Sequence, residues 1–266
     1  MTALAPSLPV PRLVCAEVLK LRKRRGLLAI TAALTIGAPI VAYGVLAILH
    51  WANPAHHGPA GGVTNLGNGL FVLAILGSVA ATLVGATAGA GDLAAGVFRE
   101  LVVTGRSRRS LFRARIPGGL IFLLGFEALA YTLAAVATVV FAGSLPAPST
   151  GLLVSAEAWL MLSSAFWFAL ALGVASLVGS RSMTIGGMLA FRLAVSPLVL
   201  SIGPLGAARE AVPGAAIERL APHAVREFTR QATAIPMSVG IAELVLVAWA
   251  AAALALGAWR TMTRDA

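Results

Sequence analysis

Three charged residues lie inside long apolar stretches of this sequence and are the first candidates for chemistry. They are Glu127, Arg192 and Glu243. A charged side chain at the centre of a bilayer costs about 2.5–3.5 kcal/mol on insertion scales, so it should face protein or water and have a partner. We expect Arg192 to pair with Glu127, with Glu243 as the second choice. Such a pair either fixes the packing of helices or contacts a polar substrate.

The remaining polar residues do not have the spacing of a catalytic or metal site. The histidines fall in loops that we predict on the opposite side of the membrane from Asp92 and Asp265, so a Ser–His–Asp triad cannot form. No His-Glu-x-x-His motif marks a helical zinc site. We therefore predict no catalytic residue and no metal site, and expect the histidines to be solvated: His50, His56, His57 and His223.

The sequence also lacks a phosphate-binding loop. Lys20 and Lys23 are its two lysines, and neither follows a glycine, whereas such a loop needs Gly-Lys followed by Ser or Thr. We expect no cofactor in this chain. If ATP drives its function, a partner chain must bind the ATP and Mg.

The composition indicates that lipid surrounds most of the chain. Of the 266 residues, 59% are hydrophobic and 11% are charged, against about 45–50% and about 25% in soluble proteins. A helix crosses a bilayer in about 20 apolar residues. The sequence therefore predicts an all-α polytopic membrane protein, a single domain over 1–266, with six transmembrane helices at 27–49, 70–90, 117–141, 156–179, 183–203 and 236–259.

The basic residues predict how these spans are oriented. Fifteen Lys and Arg residues fall in the segments on one side of the spans, and four fall on the other side. Because basic residues concentrate on the cytoplasmic side, both termini are expected in the cytoplasm, with the chain in the plasma membrane. The net charge of +10 then reflects topology and anionic lipid, and we expect no nucleic acid partner.

The cytoplasmic segment 1–26 has the pattern of an interfacial helix. Over 11–25, Glu17, Lys20 and Arg24 share one helical face, and Val14 and Val18 lie opposite. We predict that this helix lies at the membrane surface with its basic residues among the headgroups. The alternative is an ordinary basic flank without a helix.

The cytoplasmic loop 91–116 carries the most specific pattern. Phe98, Leu101 and Val102 recur at helical spacing, which predicts a short helix over 92–103 with one apolar face. Asp92 near its start suits the positive end of the helix dipole, and Ser107 is expected to cap the next helix. This arrangement favours docking onto a cytoplasmic partner, although a basic loop without a partner is the alternative.

This loop resembles the coupling region of ABC type-2 permeases. The positions that carry the resemblance are Asp92, Gly96, Arg99, Leu101, Thr104, Arg106, Ser107, Arg108 and Arg115, and Phe98 lies among them. Arg115 stands where the family often has Lys, a difference to which we assign little consequence. The segment Glu17-x-x-Lys20-Leu21-x-Lys23 is similar to the same family.

The resemblance implies the membrane subunit of an ABC exporter. Two permeases, identical or related, would pair, and each would rest its loop helix on a separate ATPase subunit. The expected cargo is a hydrophobic or amphipathic compound such as a drug, an antibiotic or a lipid. Two other functions stay open: a lipid-modifying membrane enzyme, and a non-transporting scaffold or sensor subunit.

Two further segments carry structural predictions. The outer segment 206–235 contains paired charges and prolines, and resembles the re-entrant-like short helices that precede the last span in this family; the alternative is a disordered loop. Gly85-x-x-x-Gly89 and Gly186-Gly187 permit close helix approach, which we assign to packing within the chain in preference to a dimer seam.

Overall fold

The computed structural model describes residues 10–97, 100, 103, 107–228 and 235–263. Within these residues the chain is all-α, and six of its helices are long and apolar enough to cross a membrane. The predicted fold class is confirmed: the chain is a multi-pass membrane protein. Its helices are α1 (Val10–Lys23), α2 (Arg25–Ala52), α3 (Gly62–Ala94), α4 (Arg108–Val140), α5 (Thr150–Val178), α6 (Arg181–Ser201), α7 (Pro213–Leu220), α8 (His223–Phe228) and α9 (Val239–Thr263).

The six membrane-spanning helices coincide with the six predicted spans, but most are longer. Helix α4 begins about two turns before Ile116, with the Ser107 hydroxyl accepting a hydrogen bond from the Ser110 amide at 3.1 Å. The predicted cap at Ser107 is thus confirmed. Hydropathy detects only the part of a helix that is apolar, whereas the helix itself continues into the polar boundary wherever a cap and helical hydrogen bonds are available.

Two of the spans contain a widened turn just before a proline. In α2 the π-helical turn is Ala33–Gly37, followed by Pro39. In α6 it is Phe191–Val195, followed by Pro197. Proline has no N–H and its ring crowds the carbonyl one turn earlier, so the helix relieves the clash with one extra residue in that turn. Arg192 lies within the widened turn of α6.

Helices α3 and α5 form the centre of the bundle. They approach closely because small residues face each other: a methyl group added at Gly89 would lie 2.6 Å from the Leu172 carbonyl oxygen and 2.7 Å from the Ala175 Cβ. Gly85 is similarly placed against Phe168 and Ala171. The Gly85-x-x-x-Gly89 pattern thus packs helices within the chain, as predicted. Gly186 and Gly187, in contrast, have no neighbour within 4 Å of that position.

The alternation of the six spans defines two ends of the bundle. One end, called the basic end here, contains the start of α2, the end of α3, the start of α4, the end of α5, the start of α6 and the end of α9. Helix α1 packs at the basic end against α4. At the opposite end, α7 packs against α9 and α8 packs against α3. Of the outer segment 206–235, the part 206–228 is mostly helical and packs on the bundle, which excludes a disordered loop there, whereas 229–234 lie outside the described residues.

Candidate functional sites

An ion-pair network joins three helices at the basic end. The Asp92 carboxylate accepts from Arg115 Nη2 at 2.8 Å and from Lys20 Nζ at 3.0 and 3.1 Å. Lys20 Nζ also lies 2.6 Å from a Glu17 carboxylate oxygen, and Arg115 Nη1 donates to the Gly89 carbonyl at 3.3 Å. We call Glu17, Lys20, Asp92 and Arg115 the basic-end cluster. It ties α1 to the end of α3 and the start of α4.

The basic-end cluster corrects two sequence predictions about the N-terminal helix. Helix α1 is amphipathic and ends at Lys23, so Arg24 lies between α1 and α2 and is not on its polar face. Glu17 is buried and Lys20 is directed at Asp92, whereas we expected this face to meet the headgroups. The buried negative charge of Asp92 draws the polar face of α1 onto the bundle because an ion pair is stronger there than at the solvated surface.

Asp92 does not begin a separate helix, which corrects the expected start of the loop helix. It belongs to the last turn of α3, which ends at Ala94. The amides of Gly96 and Val97 then donate to the carbonyls of Leu93 and Asp92 at 3.0 and 3.1 Å. Gly96 has a φ of +70°, the left-handed conformation that commonly ends a helix at glycine. Gly96 is therefore the residue that turns the chain into the loop.

Most of the predicted docking residues lie outside the described residues. This holds for Phe98, Arg99, Leu101, Val102, Thr104 and Arg106. Arg108 is described, and its Nη1 donates to the Met262 carbonyl of α9 at 3.0 Å. The loop between α3 and α4 is 95–107. Asp92 lies in the last turn of α3 and Arg115 about two turns into α4, so their ion pair joins the two helices that flank the loop.

A second site is a cavity of about 510 Å³ in the half of the bundle nearer the opposite end. It lies between α3, α5, α6 and α7, and Val225 of α8 also lines it. The Trp159 indole donates to the Ile217 carbonyl at 2.9 Å and joins α5 to α7 beside the cavity. The lining is mainly apolar, and its polar side chains include Arg192, Ser196, Ser201 and Glu218.

Arg192 does not pair with Glu127, which corrects the first intramembrane prediction. Its guanidinium carbon lies 5.4 Å from the ring centroid of the buried Trp167, a cation–π contact. The carboxylate that lines the same cavity as Arg192 is that of Glu218 on α7. The sequence does not predict that Glu218 lies in the same cavity wall, because Glu218 belongs to the outer segment and nothing in the sequence shows that α7 folds back beside α6.

Glu127 and Glu243 occupy separate places in the fold. Glu127 is fully buried and accepts a hydrogen bond from the Ser164 hydroxyl at 3.1 Å, with Gly77 of α3 leaving room for its carboxylate. Glu243 lies on an exposed face of α9. The three charged residues thus do not gather at one point, and the clustered constellation on which a lipid-modifying enzyme would depend is not formed by them.

The histidine loop joins α2 to α3. The His50 ring nitrogen Nδ1 lies 2.6 Å from the His57 carbonyl oxygen, and His56 Nδ1 lies 3.1 Å from the Asn53 side-chain oxygen. Both contacts are exposed. In the described part of the chain, no group of three or more His, Cys, Asp or Glu residues is arranged to hold a metal ion.

Comparison of the chain with known protein families and with curated proteins finds no match. The basic-end cluster connects α1, α3 and α4 through ion pairs next to the loop between α3 and α4. The cavity is mainly apolar, and its wall contains the cationic side chain of Arg192 and the anionic side chain of Glu218.

Proposed function

We propose that this chain is the membrane permease subunit of an ATP-driven ABC exporter. The observation that carries the proposal is the basic-end cluster, because the Asp92–Arg115 ion pair ties together α3 and α4, the two helices that the loop 95–107 connects. A force on that loop acts on both helices at once, and through Lys20 it also reaches α1. A loop fixed in this way suits a subunit that receives movement from a partner beneath the membrane.

The proposal places the basic end in the cytoplasm, in line with the distribution of Lys and Arg. A separate ATPase subunit would bind ATP and Mg, and it would also bind the loop between α3 and α4. Helices α3 and α4 would carry the movement along the bundle, because α3 reaches from the basic-end cluster to the cavity wall at Phe71, Ala74 and Ile75. The cavity would then hold the cargo, and a second copy or a related permease would complete the transporter.

We expect Arg99→Ala to lower the stimulation of ATPase activity at least fivefold while leaving the stability of the chain unchanged. The change removes a basic contact from the loop, and the loop is where the partner is proposed to bind. The test purifies the tagged chain from its native membranes with its associated ATPase and measures ATP hydrolysis in nanodiscs. A chain bearing a Walker A motif is expected in the complex.

The matched control is Arg22→Ala, which removes an exposed basic residue of α1 at the same end of the bundle. It should leave ATP hydrolysis unchanged. Equal stimulation in wild type and Arg99→Ala would contradict the coupling role of the loop. A complex without ATPase activity would instead favour the scaffold or sensor alternative.

A further inference from the structure

The cavity wall contains a cation with an unused hydrogen-bond donor, the Nε of Arg192. Arg192 Nε is buried and has no hydrogen-bond partner among the described residues, and Arg192 forms no ion pair with any of them. Glu218 of α7 lines the same cavity. A guanidinium held in an apolar wall without a directly bound anion is costly, since the desolvation of the charge is not offset.

A hydroxyl beside Arg192 is unpartnered as well. Ser196 lies one helical turn further along α6 and is 1% exposed, and its Oγ has no hydrogen-bond partner among the described residues. Several buried hydroxyls of the described helices donate to the carbonyl four residues earlier, as those of Thr35 and Thr82 do at 2.8 Å. The Ser196 hydroxyl does not, and unlike the unpartnered Thr31 it lines the cavity. Ser196 therefore keeps a free donor in the lining of the cavity to which Arg192 also belongs.

The rest of the wall fits an apolar chain. Phe71 and Ile75 of α3, Leu193 and Leu200 of α6 and Ile217 of α7 line the same space. Leu193 and Pro197 are also exposed on the surface of α6, so the cavity reaches the face of the bundle that meets lipid or a partner subunit. An amphiphile can therefore enter sideways with its apolar part in contact with the membrane.

We propose that this cavity binds an amphiphile with an anionic headgroup, a carboxylate or a phosphate, which accepts hydrogen bonds from Arg192 and Ser196. The apolar chain of the ligand lies against Phe71, Ile75 and Leu193. Trp167 holds the guanidinium in place by the cation–π contact. As the cargo of an exporter, this ligand rests on the proposed function, but its binding to the chain does not require the ATPase.

The test measures binding to the purified full chain in nanodiscs of phosphatidylcholine. The probes are dodecyl phosphate, dodecyl trimethylammonium and dodecyl maltoside, which share one apolar chain and differ in headgroup charge. Dodecyl phosphate is expected to bind at least tenfold more tightly than the other two, because charge-assisted hydrogen bonds in an apolar site are strong. Equal binding of the three probes would overturn the proposal.

Substitutions in the cavity wall test whether dodecyl phosphate binds in the cavity. Arg192→Gln should weaken binding of dodecyl phosphate at least tenfold and Ser196→Ala about threefold, whereas Arg25→Gln and Ser155→Ala, at exposed positions away from the cavity, should not change it. Arg192→Lys keeps the charge and should bind more tightly than Arg192→Gln. Ala74→Leu fills the cavity without removing a charge and should also weaken binding. Unchanged binding in Arg192→Gln and Ala74→Leu would refute the site.

A second experiment distinguishes whether the anionic amphiphile is a membrane lipid or a free compound that enters from water. Native mass spectrometry of the chain taken from nanodiscs containing phosphatidic acid tests a membrane lipid, while dodecyl phosphate added from water tests a free amphiphile. Retention of either one, lost in Arg192→Gln, supports the site; retention of neither refutes it. If binding is found but no ATPase is stimulated, the proposed function fails and the anion site stands. If the chain stimulates an ATPase but binds no anionic amphiphile, the proposed function stands and the anion site fails.

Discussion

Replacing Asp92 by leucine should lower the free energy of unfolding by about 3–5 kcal/mol, the usual cost of removing one partner from a buried ion pair. The large effect follows from Arg115, which is 1% exposed and would keep its charge without the carboxylate that now lies 2.8 Å away. Lys20 also contacts Glu17 and is partly exposed, whereas the guanidinium of Arg115 is buried beside the carboxylate that would be lost. The measurement is unfolding of the purified protein by dodecyl sulfate in mixed micelles, followed by tryptophan fluorescence.

Two controls make this result specific to the buried pair. Glu100→Gln removes an acidic residue from an exposed position of the same loop and should change stability by less than about 0.5 kcal/mol. Asp92→Leu together with Arg115→Met should recover most of the loss, because a buried ion pair is often replaced by apolar residues without cost. A double variant as unstable as Asp92→Leu alone would show that the loss does not come from the uncompensated arginine.

Gly89→Leu should destabilise the protein by about 3 kcal/mol or prevent folding, the upper end of the range for overpacking. The first added carbon already overlaps the backbone of α5 at Leu172 and the side chain of Ala175. Backbone cannot move aside as a flexible side chain can, so α3 and α5 would have to separate along the centre of the bundle. The measurement is thermal stability in detergent, read as loss of the monodisperse peak in size-exclusion chromatography.

The matched control for this prediction is Gly187→Leu. Gly187 lies in a spanning helix too, but nothing lies within 4 Å of the position that its Cβ would take. We expect no loss of stability there, since an added side chain meets open space and leucine favours the helix over glycine. A large loss in Gly187→Leu would mean that this face of α6 is covered by another subunit.

The sequence predicted the parts of the fold that depend on local pattern. Runs of apolar residues located the spans, because lipid requires continuous helices. The Gly85-x-x-x-Gly89 spacing identified a close helix contact and Ser107 a cap, because each depends on residues within two turns. The amphipathic pattern of α1 gave a helix, but not the direction of its polar face, since that direction depends on a carboxylate 72 residues away.

The two sites were harder to predict because they depend on contacts distant in sequence. Asp92 and Arg115 both stood out in the loop pattern, yet the pattern placed them in a surface loop and gave Arg115 little consequence. Their pairing requires the end of α3 and the start of α4 to lie side by side. Depth in the membrane suggested Glu127 as partner of Arg192, but depth says nothing about which way a side chain points around its helix. The widened turn before Pro197 adds to this, because one extra residue changes the direction of the side chains that follow.

The attachment of α1 through Lys20 and Asp92 has a consequence for how the chain is made. Lys20 leaves the ribosome about 5–20 s before Arg115 at ordinary rates of synthesis, so the first helix exists before its docking site is complete. During that interval its charged residues must remain in water and its leucines in lipid. Because α1 is amphipathic, it can lie on the membrane surface until α3 and α4 have been synthesised. We then expect α1 to dock onto α3 and α4 as the last step in assembling this end of the bundle.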